Sequence, residues 1–404
     1  MTPRWAFLGV CPHVGGTWVV FRNLRNGLRK QGIELRWVAA GALHAGVLAD
    51  ERWREELQWG EVVAPQGNDD QMAATALAEH LEANYEGAIA NVLCDMICTN
   101  LMRYMKPSFP RLVLVHNTTV GTYAAAASIR DHVHATIGVS MRIRNDLIRK
   151  HGFDAGRTHY IPNAVPVERF EGIQRSPSDA LRILVLSRIE NKSKGCFRVP
   201  AILRLLEGQG VPYRCTVAGD GPDLDEMKKR CDGLGVAFLG RVDSNEVPAL
   251  VARHDAYLFP SVYEGFGISL VEAMAGGCVP VSSALKGVTD QIVEEGISGY
   301  LIEPTDTAGF ALALRRLHEH PDERRTMADA AERRARTQFS VDAVSIRFAD
   351  AIRGLQNNGS GLDGRILALD EWRYPAGLRK ALHSYIPEPI KQQMRLIRER
   401  FSRG

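Results

Sequence analysis

The sequence predicts an α/β protein built from two Rossmann-like halves. Three observations carry that expectation. Strand-like and helical patterns alternate from Trp5 to about residue 170 and again from Leu181 to Pro304. Several strand-like runs end in glycine-bearing loops that open onto helices, as at Gly15-Gly16 and Gly219-Asp-Gly-Pro-Asp-Leu224. A chain of 404 residues also suffices for two domains, each with its own core.

Composition narrows the function classes. Hydrophobic residues at 45% and charged residues at 24% fit an ordinary globular protein, and a net charge of +3 calls for no nucleic-acid partner. The seven cysteines, at 11, 94, 98, 196, 215, 231 and 278, are odd in number and lack paired spacing. Neither a disulfide framework nor a zinc site is expected, and a reducing cytoplasm is favoured. No His-Glu-x-x-His occurs, so no metal is expected. The apolar run at the N-terminus is too short for a signal peptide, and no window approaches the ~20 apolar residues of a membrane span.

Taken in order, Trp5 to Val10 is a strand and a helical pattern follows through Phe21, Leu24 and Leu28 to Lys30. Gly32 stops that helix, and Glu34 to Ala40 is the next strand. Gly15-Gly16 at the helix start permits close approach of backbone to a ligand, although a plain turn needs the same residues. A polar turn spans 66–70, and Ala88 to Cys94 is a further strand. Arg111-Leu-Val-Leu-Val-His-Asn117 sets His116 at the C-terminal end of a strand, where open parallel sheets bind ligands. His132 and His134 read as surface or packing residues. Thr136 to Ser140 is a strand and Met141 to Lys150 an amphipathic helix. The two prolines in Tyr160 to Val167 mark a crossover, so the domains are expected at 1–170 and 171–350, with 351–404 as C-terminal helices and a basic tail.

The second half opens with the strand Leu181 to Ser187, followed by Arg188 and a polar loop ending in Lys194-Gly195. Cations just past a strand end suit a diphosphate; a solvated charged loop is the alternative. After the strand Tyr213 to Ala218, Gly219 and Gly221 begin a turn that only partly matches the dinucleotide fingerprint, because Leu224 stands where its third glycine belongs. Val236 to Val242 is a strand and sheet edge.

The richest stretch is Ser261-Val-Tyr-Glu264-Gly-Phe266-Gly267-Ile268-Ser-Leu-Val-Glu272-Ala-Met-Ala-Gly-Gly277. A strand feeds a glycine loop and then a helix, whose unpaired N-terminal amides favour a phosphate. Glu264 in the loop and Glu272 one to two turns into the helix can accept hydrogen bonds from hydroxyl-rich groups on either side. Taken singly, each is equally well a helix-end or solvated charge. A ligand with phosphate in its middle and hydroxyls at both ends, such as a nucleotide-sugar, satisfies the whole set.

The Glu-x7-Glu spacing, the Gly-Phe-Gly and the Glu-Ala-Met-Ala-Gly-Gly continuation resemble the signature of family 4 retaining glycosyltransferases, which have the GT-B fold. The resemblance runs from about residue 5 to about 350 and is strongest at 182–304. It implies two halves facing each other across a cleft, the first for the acceptor and the second for a nucleoside-diphosphate-sugar donor. By the same resemblance the Gly16 loop closes over the sugar and acceptor, and His116 faces the sugar. Arg188, Lys194 and the amides of Phe266, Gly267 and Ile268 meet the diphosphate without a metal. The family places its lysine-glycine five residues after the arginine, whereas Lys194 lies six after Arg188, so Lys192 is a rival. Gly219 and Gly221 lie beside the nucleotide, the backbone at Arg241 and Val242 holds the base, Glu264 binds sugar hydroxyls and Glu272 binds the ribose.

The expected activity is therefore retaining sugar transfer to a hydroxyl of a glycan, lipid-linked or small-molecule acceptor, with no cofactor. A nucleotide-sugar sensor, an inactive module and a GT-B epimerase are the alternatives. Beyond a flexible break at 356–361, the tail carries nine Lys or Arg against five Asp or Glu. Ile390, Met394, Ile397 and Phe401 recur at helical spacing beside Lys391, Arg395 and Arg398. That pattern suits packing on the first domain or peripheral contact with an anionic membrane.

Overall fold

The computed structural model describes residues 2–13, 15–64, 69–92, 95–172, 178–358, 362 and 367–379. The helix expected around Ile390 to Phe401 lies outside the described residues, as do Cys94 and part of the polar turn at 66–70. Two compact units emerge, each built on a parallel sheet.

The first unit holds β1 (Arg4–Leu8), β2 (Glu34–Ala40), β3 (Gly60–Val63), β4 (Gly87–Asn91), β5 (Arg111–Val115), β6 (Ala135–Gly138) and β7 (Thr158–Tyr160), in the order β3-β2-β1-β4-β5-β6-β7. Helices cover both faces of such a sheet, so its central strands are apolar throughout rather than alternating. Every residue of β4 and β5 is buried, Arg111 included. Arg111 donates to the carbonyls of Met102, Met105 and Lys106, which satisfies the chain end after the helix Met96–Leu101. Burial pulls its pKa down to about 10, which leaves it charged at neutral pH.

The second unit holds β8 (Leu181–Leu186), β9 (Tyr213–Ala218), β10 (Val236–Gly240), β11 (Ala256–Phe259), β12 (Val279–Ser283) and β13 (Tyr300–Ile302), in the order β10-β9-β8-β11-β12-β13. Its core joins Ile183, Val185, Leu258 and Val281 to Ile202, Leu206, Phe310 and Leu314 of the flanking helices. In both sheets the strand order reverses once, between β1 and β4 and between β8 and β11. Chain connections leave those neighbouring strands in opposite directions, which opens a crevice at their carboxyl ends where ligands bind.

The unit boundaries differ from those expected at 170 and 350. They fall at Ala164/Val165 and at Ser340/Val341. The helix Val341–Asn358 packs on the helix Gly16–Lys30 and belongs to the first unit. A Cβ on Gly27 would lie 2.5 Å from Ser345 Cβ, so the glycine sets how closely the two helices approach. Arg347 donates to Tyr160 O, and Lys30 pairs with Asp342 at 2.6 Å. Such long-range contacts leave no mark on the Ala- and Arg-rich pattern that runs through 307–355.

Segment 367–379 packs on the first unit as well. Trp372 lies against Tyr104 at 4.8 Å between ring centres, and Tyr374 Oη donates to Asp70 Oδ2 at 2.6 Å. No described helix is long and apolar enough to cross a membrane.

Candidate active site

The switch point of the second unit gathers most of the residues singled out in the sequence. After β8 the chain runs through Arg188 into a single helical turn, Asn191–Lys194, closed by Gly195 in the left-handed region (φ 62°). A Cβ on Gly195 would sit 2.2 Å from Pro260 O, so this loop and the one after β11 meet only because the residue is glycine. Across that contact Lys194 Nζ lies 2.6 Å from Glu264 Oε1, and Ser261 Oγ donates to the same oxygen at 2.8 Å. Lys194 is 25% exposed and Glu264 10% exposed, so the pair is shielded far more than a surface ion pair. Lys194 thus meets the loop of Glu264. Arg188 extends into solvent, 67% exposed, with Glu190 Oε1 at 3.9 Å.

Downstream of Glu264, Gly267 (φ 126°) leads into the helix Ile268–Ala275 without a side-chain cap. The N–H groups of Phe266, Gly267, Ile268 and Ser269 have no acceptor among the described residues. Unpaired donors at a helix N-terminus attract an anion. Phe266 is 4% exposed and its ring packs edge-on against Phe339 at 5.8 Å between centres, so the ring is not offered to a ligand. Tyr257 ties the crevice together: its hydroxyl donates to Leu186 O at the end of β8 and shares a 2.8 Å hydrogen bond with Ser269 Oγ. The Glu272 carboxylate, further along the helix, has no hydrogen-bond partner among the described residues, and burial raises its pKa to about 7.

Gly219 and Gly221 are explained by packing. A Cβ on Gly219 would fall 1.8 Å from Ser187 O, and one on Gly221 would fall 2.3 Å from Ile189 O. Their turn is hydrogen-bonded to the loop after β8 (Ile189 N to Asp220 O, 2.9 Å) and to the end of β10 (Gly219 N to Gly240 O, 2.7 Å). Arg241, exposed, and Val242, half-buried, follow directly on that edge. A continuous rim therefore runs from Gly240 through Gly219 and Ser187 to Lys194 and Glu264.

The first unit carries the other two. His116 follows β5, and its Nε2 bonds to Asn91 Oδ1 at 2.8 Å. Burial lowers its pKa to about 4, so the ring is neutral at physiological pH. With Nε2–H donating to Asn91, Nδ1 is an acceptor with no partner among the described residues. Gly16 starts the helix Gly16–Lys30, and a Cβ there would meet nothing within 4 Å, so packing makes no demand for glycine. His134 is a packing residue, accepting from Arg111 N at 3.1 Å.

Asn91, Tyr257 and Ser261 were not evident from the sequence. Asn91 ends β4 at the carboxyl edge and its Nδ2 is buried with no partner among the described residues; its strand-end position was the available signal. Tyr257 reads as one more apolar strand residue.

Two parallel-sheet Rossmann-like units of this kind make the fold GT-B, and residues 167–334 match the family described as glycosyl transferases group 1. The chain is 26% identical over 258 residues to a glycogen synthase of Mycobacterium tuberculosis, covering 59% of this chain and 62% of that one. Against a phosphatidyl-myo-inositol mannosyltransferase of Mycolicibacterium smegmatis it is 32% identical over 202 residues, 48% of this chain and 52% of the relative. The matches thus span between half and two thirds of those relatives. In fold it is similar to Anabaena Alr3699/HepE, solved in complex with UDP, with a TM-score of 0.69 at 20% identity over 87% of this chain and 100% of that one.

Proposed function

We propose that this protein is a family 4 retaining glycosyltransferase, which moves a sugar from a nucleoside-diphosphate-sugar to a hydroxyl acceptor without a metal. The observation that carries this reading is the open N-terminus of the helix Ile268–Ala275, fed by the loop in which Glu264 holds Lys194. The diphosphate would lie against the amides of Phe266 to Ser269, with Lys194 and Arg188 as its cations. In the transfer, the bond from the anomeric carbon to the diphosphate oxygen breaks and a bond to the acceptor oxygen forms on the same face. Negative charge grows on the leaving phosphate, and fixed donors aimed at it lower the barrier because they need no reorganisation. Glu264 would accept from sugar hydroxyls, Glu272 from the ribose, and His116 Nδ1 from the far side of the sugar. The backbone at Arg241 and Val242, at the end of the same rim, would hold the base. The first unit would take the acceptor.

That HepE, similar in fold, is solved in complexes containing UDP, glucose and UDP-glucose makes uridine donors the first to test. A thermal-shift panel in EDTA with UDP, GDP, ADP, dTDP, NAD and the matching sugar conjugates provides the test. A ligand at a hundred times its Kd adds about 2.7 kcal/mol, several degrees in Tm. One nucleoside diphosphate standing out supports the donor site and its independence of metal. A response to NAD alone would sink the assignment.

A further inference from the structure

The switch point of the first unit holds three reactive side chains that sugar transfer does not use. Cys11 follows β1, His44 follows β2 and Asp95 follows β4, and those strands are neighbours. Cys11 Sγ lies 3.5 Å from His44 Nδ1, and His44 Nε2 lies 2.8 Å from Asp95 Oδ2. Asp95, only 5% exposed, is itself anchored: its Oδ1 accepts from Cys98 N at 3.0 Å and caps the helix Met96–Leu101. The helix thus fixes the carboxylate, the carboxylate fixes the imidazole, and the imidazole faces the thiol.

The row borders a cavity of about 320 Å³, lined also by His13, Asp50, Arg52 and Trp53. His13 is engaged through Nδ1 with Cys11 O at 2.8 Å and through Nε2 with Thr17 Oγ1 at 3.1 Å. Asp50 and Arg52 pair with each other at 2.6 Å. That leaves His44 as the partner of the sulfur. Cys98, Cys196, Cys215, Cys231 and Cys278 are buried, whereas Cys11 is partly open.

We propose that Cys11, His44 and Asp95 form a reactive-thiol site, in which the Cys11 sulfur beside a His44 imidazolium exchanges with small disulfides of the glutathione class. Hydrogen bonds to Asp95 and then to Cys11 hold the His44 pKa up to about 10 against the opposing effect of burial. An imidazolium next to a cysteine stabilises its thiolate. In the exchange, the Cys11 sulfur attacks one sulfur of the disulfide, the new S–S bond forms and the old one breaks. The departing thiolate takes a proton from His44 or water, and a free thiol reverses the step. The size of the cavity favours a small partner. An adduct there would sit beside Pro12 and His13, ahead of the helix that Gly16 starts; any effect on acceptor binding rests on the proposed function, whereas the thiol chemistry does not.

The test treats the full-length protein with oxidised glutathione at about pH 6 and about pH 8, well below the range where an ordinary thiol ionises and close to it. Intact mass and peptide mapping read the adduct in the wild type and in Cys11→Ser, His44→Gln and Asp95→Asn. Asparagine keeps the capping oxygen of Asp95 and removes its charge. The expected result is one dithiothreitol-reversible adduct, mapped to Cys11, forming at about pH 6 ten-fold or more slowly in the His44 and Asp95 variants. An adduct that misses Cys11, or equal rates in all folded variants, would overturn the proposal. Should a variant fail to fold, the wild-type profile decides: a rate levelling off below about pH 8 supports the pair, and one still rising through about pH 8.5 refutes it.

Discussion

The Glu272 carboxylate has no donor among the described residues, on a helix whose first amides are open in the same way. Burial raises its pKa to about 7, above the ordinary value near 4.5, so folding favours its neutral form. The contribution of this group to stability is therefore full below about pH 4.5 and falls as pH rises towards 7. A ribose offers hydroxyl donors to the ionised form, so binding should release a proton below about pH 7 and donor affinity should rise with pH through that range. Calorimetry of nucleoside diphosphate binding in buffers of different ionisation enthalpy reads that proton. Glu272→Gln should abolish the release and weaken binding by about ten-fold or more, since a hydrogen bond to a charged group contributes about 1.5–3 kcal/mol. Unchanged affinity would remove the ribose role. His116 makes the opposite case: neutral down to about pH 4, it contributes an acceptor and no charge, so His116→Ala should lower kcat/KM without moving the limbs of the pH profile.

At the scale of elements, the loops after β8 and β11 form one device. Gly195 lets the turn Asn191–Lys194 reach Pro260, and Lys194 then meets Glu264. Gly195→Ala combines a left-handed backbone with a 2.2 Å approach to a carbonyl. It should cost about 1–3 kcal/mol, lower Tm by several degrees and weaken nucleoside diphosphate binding. Circular dichroism melting together with titration calorimetry checks both effects; loss of stability alone would mean that the loop does not position the cation. Arg111 plays an equivalent structural part in the first unit. Arg111→Met leaves three carbonyls without their donor, and urea unfolding should show a loss of about 2 kcal/mol or more.

Over the whole molecule, the described chain passes between units at Ala164/Val165 and again at Ser340/Val341, so the first unit joins residues that precede and follow the second. Gly27→Val tests that arrangement, because its side chain would meet Ser345 and Val341. Overpacking of this kind costs about 1–3 kcal/mol. Hydrogen exchange should show protection lost across the first unit, at 2–164 and 341–358, while the second unit keeps its protection and its nucleotide affinity. Loss spread evenly over both units would contradict the division.

The sequence by itself determined the two Rossmann-like halves, because strands buried on both faces write uninterrupted apolar runs and their glycine loops follow at once. It also singled out Glu264, Glu272 and the loop between them, since a loop and its helix are contiguous in the chain. Tertiary structure decided what joins distant segments. Lys194 was joined to Glu264, 70 residues away, and the helix Val341–Asn358 was moved to the first unit by its packing on Gly27. The row Cys11–His44–Asp95 falls in the same class. Its members lie on the three segments that follow neighbouring strands, brought together by the order β2-β1-β4, and strand order arises from long-range pairing that local residue patterns do not encode.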